Sequence, residues 1–247
     1  MSKSKKRAAP SEGGARKPKR QRKSPYQVDE SLLNSELGIN ESFSVMDSQL
    51  LADYTAQKIT RFGSDLSSIE VADLAISANA IVDTTSWQNP RSTENLPAFL
   101  EKFAEKPERL STAPEAKGTP HTIIVTGAGL RAANLVRATR KFQGEKSKVA
   151  KLFAKHMKVE EQTKFLQSHR TGIAVGTPAR LMDLVDNGAL SVAKLERIVV
   201  DASHIDGKKR GVMDMKDTML PLARWLTRKE FKERYTAEKK PLALLFY

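Results

Sequence analysis

The sequence predicts an α/β fold, one parallel sheet with helices on both faces, preceded by a basic, disordered N-terminal tail. Three observations predict it. β-Branched and apolar runs recur at 121–126, 171–175, 197–200 and 242–247, without the polar alternation of a half-solvated strand. Helical patterns separate most of these runs, and that alternation argues for a parallel sheet with right-handed crossovers. The charge is also segregated: the chain nets +13, and residues 1–24 alone supply +9.

That first segment holds ten basic residues, one acid (Glu12), two prolines and almost no large apolar side chain. Such a composition buries too little surface to offset its ordering entropy. Lys17, Lys19, Arg20, Arg22 and Lys23 form a cluster of the nuclear-import type, and Lys5-Lys6-Arg7 upstream makes it two-part. The same run suits loose contact with a polyanion through counterion release. The tail is drawn to residue 40, and the domain spans 41–247 with extra N-terminal helices. Residues 25–247 net only +4.

Within the domain, the spacing of Val45, Leu50, Leu51, Tyr54 and Ile59 predicts a helix over 44–59. Ser67 and Glu70 have the spacing of a capping box, so a second helix begins there. Leu96, Phe99, Leu100 and Phe103 share one face of a third. Pro107, Pro114, Gly118 and Pro120 mark a loop before the first strand. A helix is expected over 130–142, and the lysine-rich stretch 142–158 reads as helix-like. A further helix ends near Gly188, and another covers 219–226.

Several function classes drop out. The absence of cysteine removes disulfides, thiolate metal sites and cysteine nucleophiles, and it fits a reducing compartment. His121, His156, His169 and His204 lack metal-ligand spacing, and there is no Gly-x-Ser-x-Gly elbow. No apolar run approaches the ~20 residues of a membrane span. No metal site or membrane contact is therefore expected.

Two strand-to-helix turns are candidate anion sites. Gly127-Ala128-Gly129 has the outline of a dinucleotide fingerprint, so a nucleotide- or S-adenosylmethionine-using enzyme is the alternative function. Against it, no acidic residue ends a second strand ~20 residues on. The helix N-terminus remains an anion site in its own right, with Arg131 beside it. At the second turn, Thr177 is a good N-cap after Gly176, and Pro178 suits the first helical position. Arg180 then stands where the helix dipole disfavours a cation, which points to a nearby anion or to Asp183.

The order of these motifs resembles the first RecA-like domain of DEAD-box RNA helicases. Gly176-Thr177-Pro178-Ala179-Arg180 is similar to Thr-Pro-Gly-Arg, and Ile198-Val199-Val200-Asp201-Ala202-Ser203-His204 to the strand ending Asp-Glu-Ala-Asp. Residues 123–142 resemble the strand, Pro-Thr-Arg-Glu-Leu turn and helix, and 96–103 the helix after the phosphate-binding loop. The departures are chemical. Asn89-Pro90-Arg91-Ser92-Thr93-Glu94-Asn95 stands at the Walker loop with neither glycine nor lysine, Ala202 replaces the water-activating Glu, and His204 replaces the last acid. No second RecA-like domain is expected. A half-helicase with a basic tail resembles the Cms-one family of DEAD-box-like proteins associated with small-subunit ribosome precursors. The resemblance implies a degenerate RecA-like fold in a nucleolar, non-catalytic assembly factor of the early small-subunit pre-ribosome, with no catalytic residue, no cofactor and no small-molecule substrate. Its partners would be pre-ribosomal RNA and small-subunit assembly proteins. The inherited RNA contacts would be Thr177 and Arg180, with Gly176, and at the first turn Gly129 and Arg131. Aromatic residues are only 6% of the chain, so phosphates are favoured over bases as the contact.

Overall fold

The computed structural model describes residues 30–155, 157–239 and 241–247. It begins with a two-stranded antiparallel hairpin, β1 (Leu33–Asn34) and β2 (Ile39–Asn40), whose turn uses Gly38 at φ 63°. The helices α1 (Ser48–Phe62) and α2 (Ser68–Asp73) follow, and then α3 (Leu96–Lys102). Next come β3 (Thr122–Val125), α4 (Gly129–Ala138), β4 (Lys148–Leu152), α5 (Val159–Ser168), β5 (Thr171–Gly176) and α6 (Pro178–Asp186). The series closes with β6 (Arg197–Val200), α7 (Lys216–Leu226), α8 (Lys229–Tyr235) and β7 (Ala243–Phe246).

The five long strands form one parallel sheet in the order β4-β5-β3-β6-β7. Helices pack on both faces, as the uninterrupted apolar strands require. Ile123 and Val125 of β3, with Ile198 and Val200 of β6, face a layer built from α1 and α5 to α8. Ile124 and Val199 face the opposite layer, built from α3 and α4. Beyond β7 the residues Ile81 and Val82 continue the sheet, since Ile81 bridges Leu244 in parallel and the Val82 amide donates to the Leu244 carbonyl at 2.9 Å.

Two segments differ from the sequence-based expectation. The stretch 142–158 contains the edge strand β4 in place of a helix. Val149, Ala150 and Leu152 are buried against β5 while Lys151 stays exposed. Burial of three apolar side chains outweighs the helix propensity of the surrounding lysines. The fold also starts before residue 41. The β2 backbone adds to the segment after β6, with the Asn40 amide donating to the Ser203 carbonyl at 2.7 Å and the Ile205 amide to the Gly38 carbonyl at 2.9 Å. That pairing, rather than the short apolar content of 33–40, holds the hairpin. The extra helix α1 is fastened to the domain by Lys58, 2% exposed, which pairs with Asp214.

The topology opens a crevice at one place. The chain leaves β3 toward β4 through α4 on one face, and leaves β6 toward β7 through α7 and α8 on the other. At such a switch point the carboxyl ends of the two neighbouring strands, here β3 and β6, frame the usual ligand site of an open α/β sheet.

Candidate functional site

Register brings two polar residues together at this crevice. Val125 and Val200 are aligned partners, so Thr126 and Asp201 emerge side by side at the strand ends. The Thr126 hydroxyl donates to Asp201 Oδ2 at 2.7 Å. Arg131, in the first turn of α4, reaches back and clasps both carboxylate oxygens, Nε to Oδ2 at 2.9 Å and Nη2 to Oδ1 at 2.7 Å. This bidentate fork is the strong geometry for an arginine and a carboxylate. Arg131 is 7% exposed and Asp201 2%. Burial works against the Arg131 charge, yet Asp201 outweighs it and holds the guanidinium pKa above its ordinary value. Nη1 of Arg131 donates to the Thr93 hydroxyl in the loop before α3.

That loop, residues 89–95, is pinned at two further points. Arg91, 2% exposed, donates to the Phe246 carbonyl at the end of β7, and to the Thr84 carbonyl and hydroxyl at 3.2 and 3.0 Å. Burial pushes its pKa down to about 10. The Tyr247 hydroxyl donates to the Ser92 carbonyl at 2.5 Å. Over the same end of the sheet lies the N-terminal hairpin, with Ile39 bridged to His204. The cleft between hairpin and loop measures about 240 Å³, less than the ~300 Å³ at which small-molecule sites begin.

The first glycine turn is packed against the protein itself. A Cβ on Gly129 would lie 3.1 Å from Lys155 Cβ and 3.2 Å from Phe153 Cδ2. Glycine is there for the close approach of the segment after β4, and Gly129 is half-buried by it. The dinucleotide reading of Gly127-Ala128-Gly129 is corrected by the topology. A Rossmann βαβ unit sets its first two strands side by side, whereas β5 separates β3 from β4 here.

The second turn has a similar inward logic. Arg180 is 8% exposed, and its Nη1 donates to Gln162 Oε1 at 2.7 Å and to the Met157 carbonyl at 3.0 Å. Gln162, 1% exposed, donates in turn to the Phe153 carbonyl at 2.9 Å. The cation in the first turn of α6 is thus explained by a buried amide acceptor on α5, while Asp183 lies 3.9 Å away. Gly176 is buried where a Cβ would fall 2.5 Å from the Leu152 carbonyl oxygen. Thr177 is half-buried and makes no side-chain cap hydrogen bond.

Of the residues singled out from sequence, Arg131 and Arg180 therefore direct their guanidinium groups into the protein, Gly176 is buried, and Gly129 and Thr177 retain partial exposure. Lys17, Lys19, Arg20, Arg22 and Lys23 lie outside the described residues. Sequence reasoning missed Thr93, Arg91 and Gln162 as partners. The one available signal was that Thr126 and Asp201 both directly follow core strands. No helix among the described residues is long and apolar enough to cross a membrane.

The fold and this crevice define a parallel α/β domain whose switch point is filled by its own ion pair. A family model described as "CMS1: U3-containing 90S pre-ribosomal complex subunit" matches residues 1–247, and the chain belongs to that family. It is 61% identical over 229 residues to Protein CMS1 of Chaetomium thermophilum, a match covering 93% of this chain and 91% of that protein. It is 35% identical over 123 residues to human Protein CMSS1, covering 50% of this chain and 44% of that one. Among solved structures it is similar to a DEAD box protein from Methanococcus jannaschii, with TM-score 0.39 and 20% identity over 64% of this chain and 37% of that chain.

Proposed function

We propose that this chain is a non-catalytic ribosome-biogenesis factor of the early small-subunit pre-ribosome, acting in the nucleus and nucleolus. It binds pre-ribosomal RNA, assembly proteins, or both. Membership of a family of 90S pre-ribosomal subunits supports the setting. The observation that carries the non-catalytic part is the clasp of Arg131 on Asp201. Phosphoryl transfer rests on positioning and charge stabilisation, with a carboxylate holding Mg²⁺ and a lysine on the phosphates. Here both oxygens of the only acid at the end of β6 are engaged by an internal cation. The loop at 89–95 offers neither a glycine cradle nor a lysine. These residues do not fit a magnesium nucleotide. A folded body that can dock, with a +9 segment for delivery and polyanion contact, suits a scaffold. RNA contact at the partly exposed Gly129 and Thr177 belongs to the same proposal.

The test is affinity purification of the full chain from nuclear extract, with sequencing of the bound RNA and identification of the bound proteins. Enrichment of small-subunit precursor RNA and assembly proteins is expected. Recovery of messenger RNA or DNA in their place would overturn the reading.

A further inference from the structure

The mild charge of the folded part conceals a strong local one. Residues 137–158 contain eight lysines and arginines and one acid, Glu145, a net +7, while the rest of 25–247 nets −3. The structure gathers most of these cations along one edge of the sheet. Arg137 and Arg140 lie at the C-terminal end of α4 and in the turn after it, and Lys141 is adjacent. Lys146 sits in the tight reversal that the Gly144 amide closes on the Ser147 carbonyl at 2.9 Å, and Lys148 and Lys151 lie on β4, the outermost strand. Lys148 is half-buried and the other five are exposed.

Internal partners account for two of the six. Lys141 pairs with Glu101 at 2.8 Å, and Arg137 donates to Asn134. The side chains of Arg140, Lys146, Lys148 and Lys151 have no ion-pair or hydrogen-bond partner among the described residues. Lysines on an edge strand guard it against pairing with another chain, and basic residues suit the last turn of a helix. Those local reasons explain Lys148, Lys151 and Arg137. They leave Arg140 and Lys146 unexplained, as well as the near absence of acids through the whole stretch.

We infer that the edge formed by Arg140, Lys146, Lys148 and Lys151 is a docking surface for the phosphodiester backbone of RNA. This rests on the reading of the chain as a pre-ribosome factor and adds an RNA contact at the sheet edge to those proposed at Gly129 and Thr177. RNA is favoured over an acidic protein because the stripe has no apolar anchor. The large exposed apolar side chains among the described residues are Leu32, Leu37, Val45, Leu50, Ile69 and Leu130, none of them on this edge. Protein interfaces concentrate their energy in such anchors. Phosphate contact needs only cations and carries no base preference.

The probe is a fluorescein-labelled RNA hairpin with a 20-base-pair stem. Its affinity is measured against salt for the full chain with Lys17, Lys19, Arg20, Arg22 and Lys23 changed to glutamine, so that the tail does not mask the edge. In that background, Lys146→Glu with Lys148→Glu and Lys151→Glu is expected to weaken binding at least tenfold at 100 mM salt. The slope of log affinity on log salt is expected to fall by about 2 to 3, near 0.9 per lost phosphate contact. A control reversal of the exposed Lys106, Lys117 and Lys194 should change affinity less than threefold. If reversal unfolds β4, the Lys→Gln triple reads the same loss at smaller size. Equal affinities for edge and control variants would overturn the inference. So would an edge variant that loses a poly-glutamate peptide while keeping RNA. Loss of RNA binding in a chain whose parent does not co-purify with pre-ribosomes would leave the edge standing and remove the functional reading instead.

Discussion

Arg131 holds Asp201 by both carboxylate oxygens at 2.7 and 2.9 Å, between the ends of the two strands where the sheet changes direction. The position that an open α/β sheet ordinarily offers to a ligand is here part of the protein's own polar core. The same guanidinium reaches Thr93, so the pair also ties the loop before α3 to β6.

A buried pair of this kind stabilises little against an apolar substitute, but breaking one half is costly because the other charge is stranded. Arg131→Met is expected to destabilise the domain by about 3 kcal/mol, and Arg131→Met with Asp201→Leu by clearly less than the sum of the two single changes. Urea unfolding of the four proteins in the cycle measures this. Additive losses would mean that the two residues do not act as a pair.

The family resemblance makes Arg180 a contact for the RNA backbone, whereas the structure buries it against Gln162. Arg180→Glu places an acid against the Gln162 amide oxygen and the Met157 carbonyl, so it should cost about 3 kcal/mol of stability. Thermal melting checks this, and an unchanged midpoint would refute it.

His121 supplies a pH dependence. It is 4% exposed, with Nδ1 2.8 Å from the Thr122 hydroxyl, and burial together with the nearby Arg197 pushes its pKa down to about 4. The folded state therefore stays neutral while the unfolded chain takes up a proton below about 6.5. Its stabilising contribution is fully present above pH 6.5 and is lost as pH falls toward 4, up to about 3 kcal/mol. His121→Asn should flatten the change in urea midpoint between pH 7 and 4.5. An equally steep change in the variant would assign the dependence to other groups.

What could be read from the sequence follows the range of the forces involved. β6 was expected at 197–200 and spans Arg197–Val200, because three successive apolar residues between Arg197 and Asp201 leave little choice. The Ser67–Glu70 capping box forms in full, since both hydrogen bonds close within three residues. β4 was hidden because its lysines speak for a helix and only its burial against β5 makes it a strand. The hairpin at 33–40 was hidden because its strands are two residues long and depend on backbone groups at 203–205. The site was harder still. Asp201 and Arg131 were both singled out, but their pairing depends on β3 and β6 being neighbours, and strand order is not a local property. The Arg180 acceptor was hidden for the same reason, lying eighteen residues back on another helix.

Closure of the crevice to nucleotide by Arg131 is measurable by equilibrium titration of the full chain with a fluorescent ATP analogue and Mg²⁺. No saturable binding is expected up to about 1 mM, a free energy weaker than about −4 kcal/mol. Saturable binding well below that concentration, displaced by unlabelled ATP and weakened by Asp201→Asn, would contradict it.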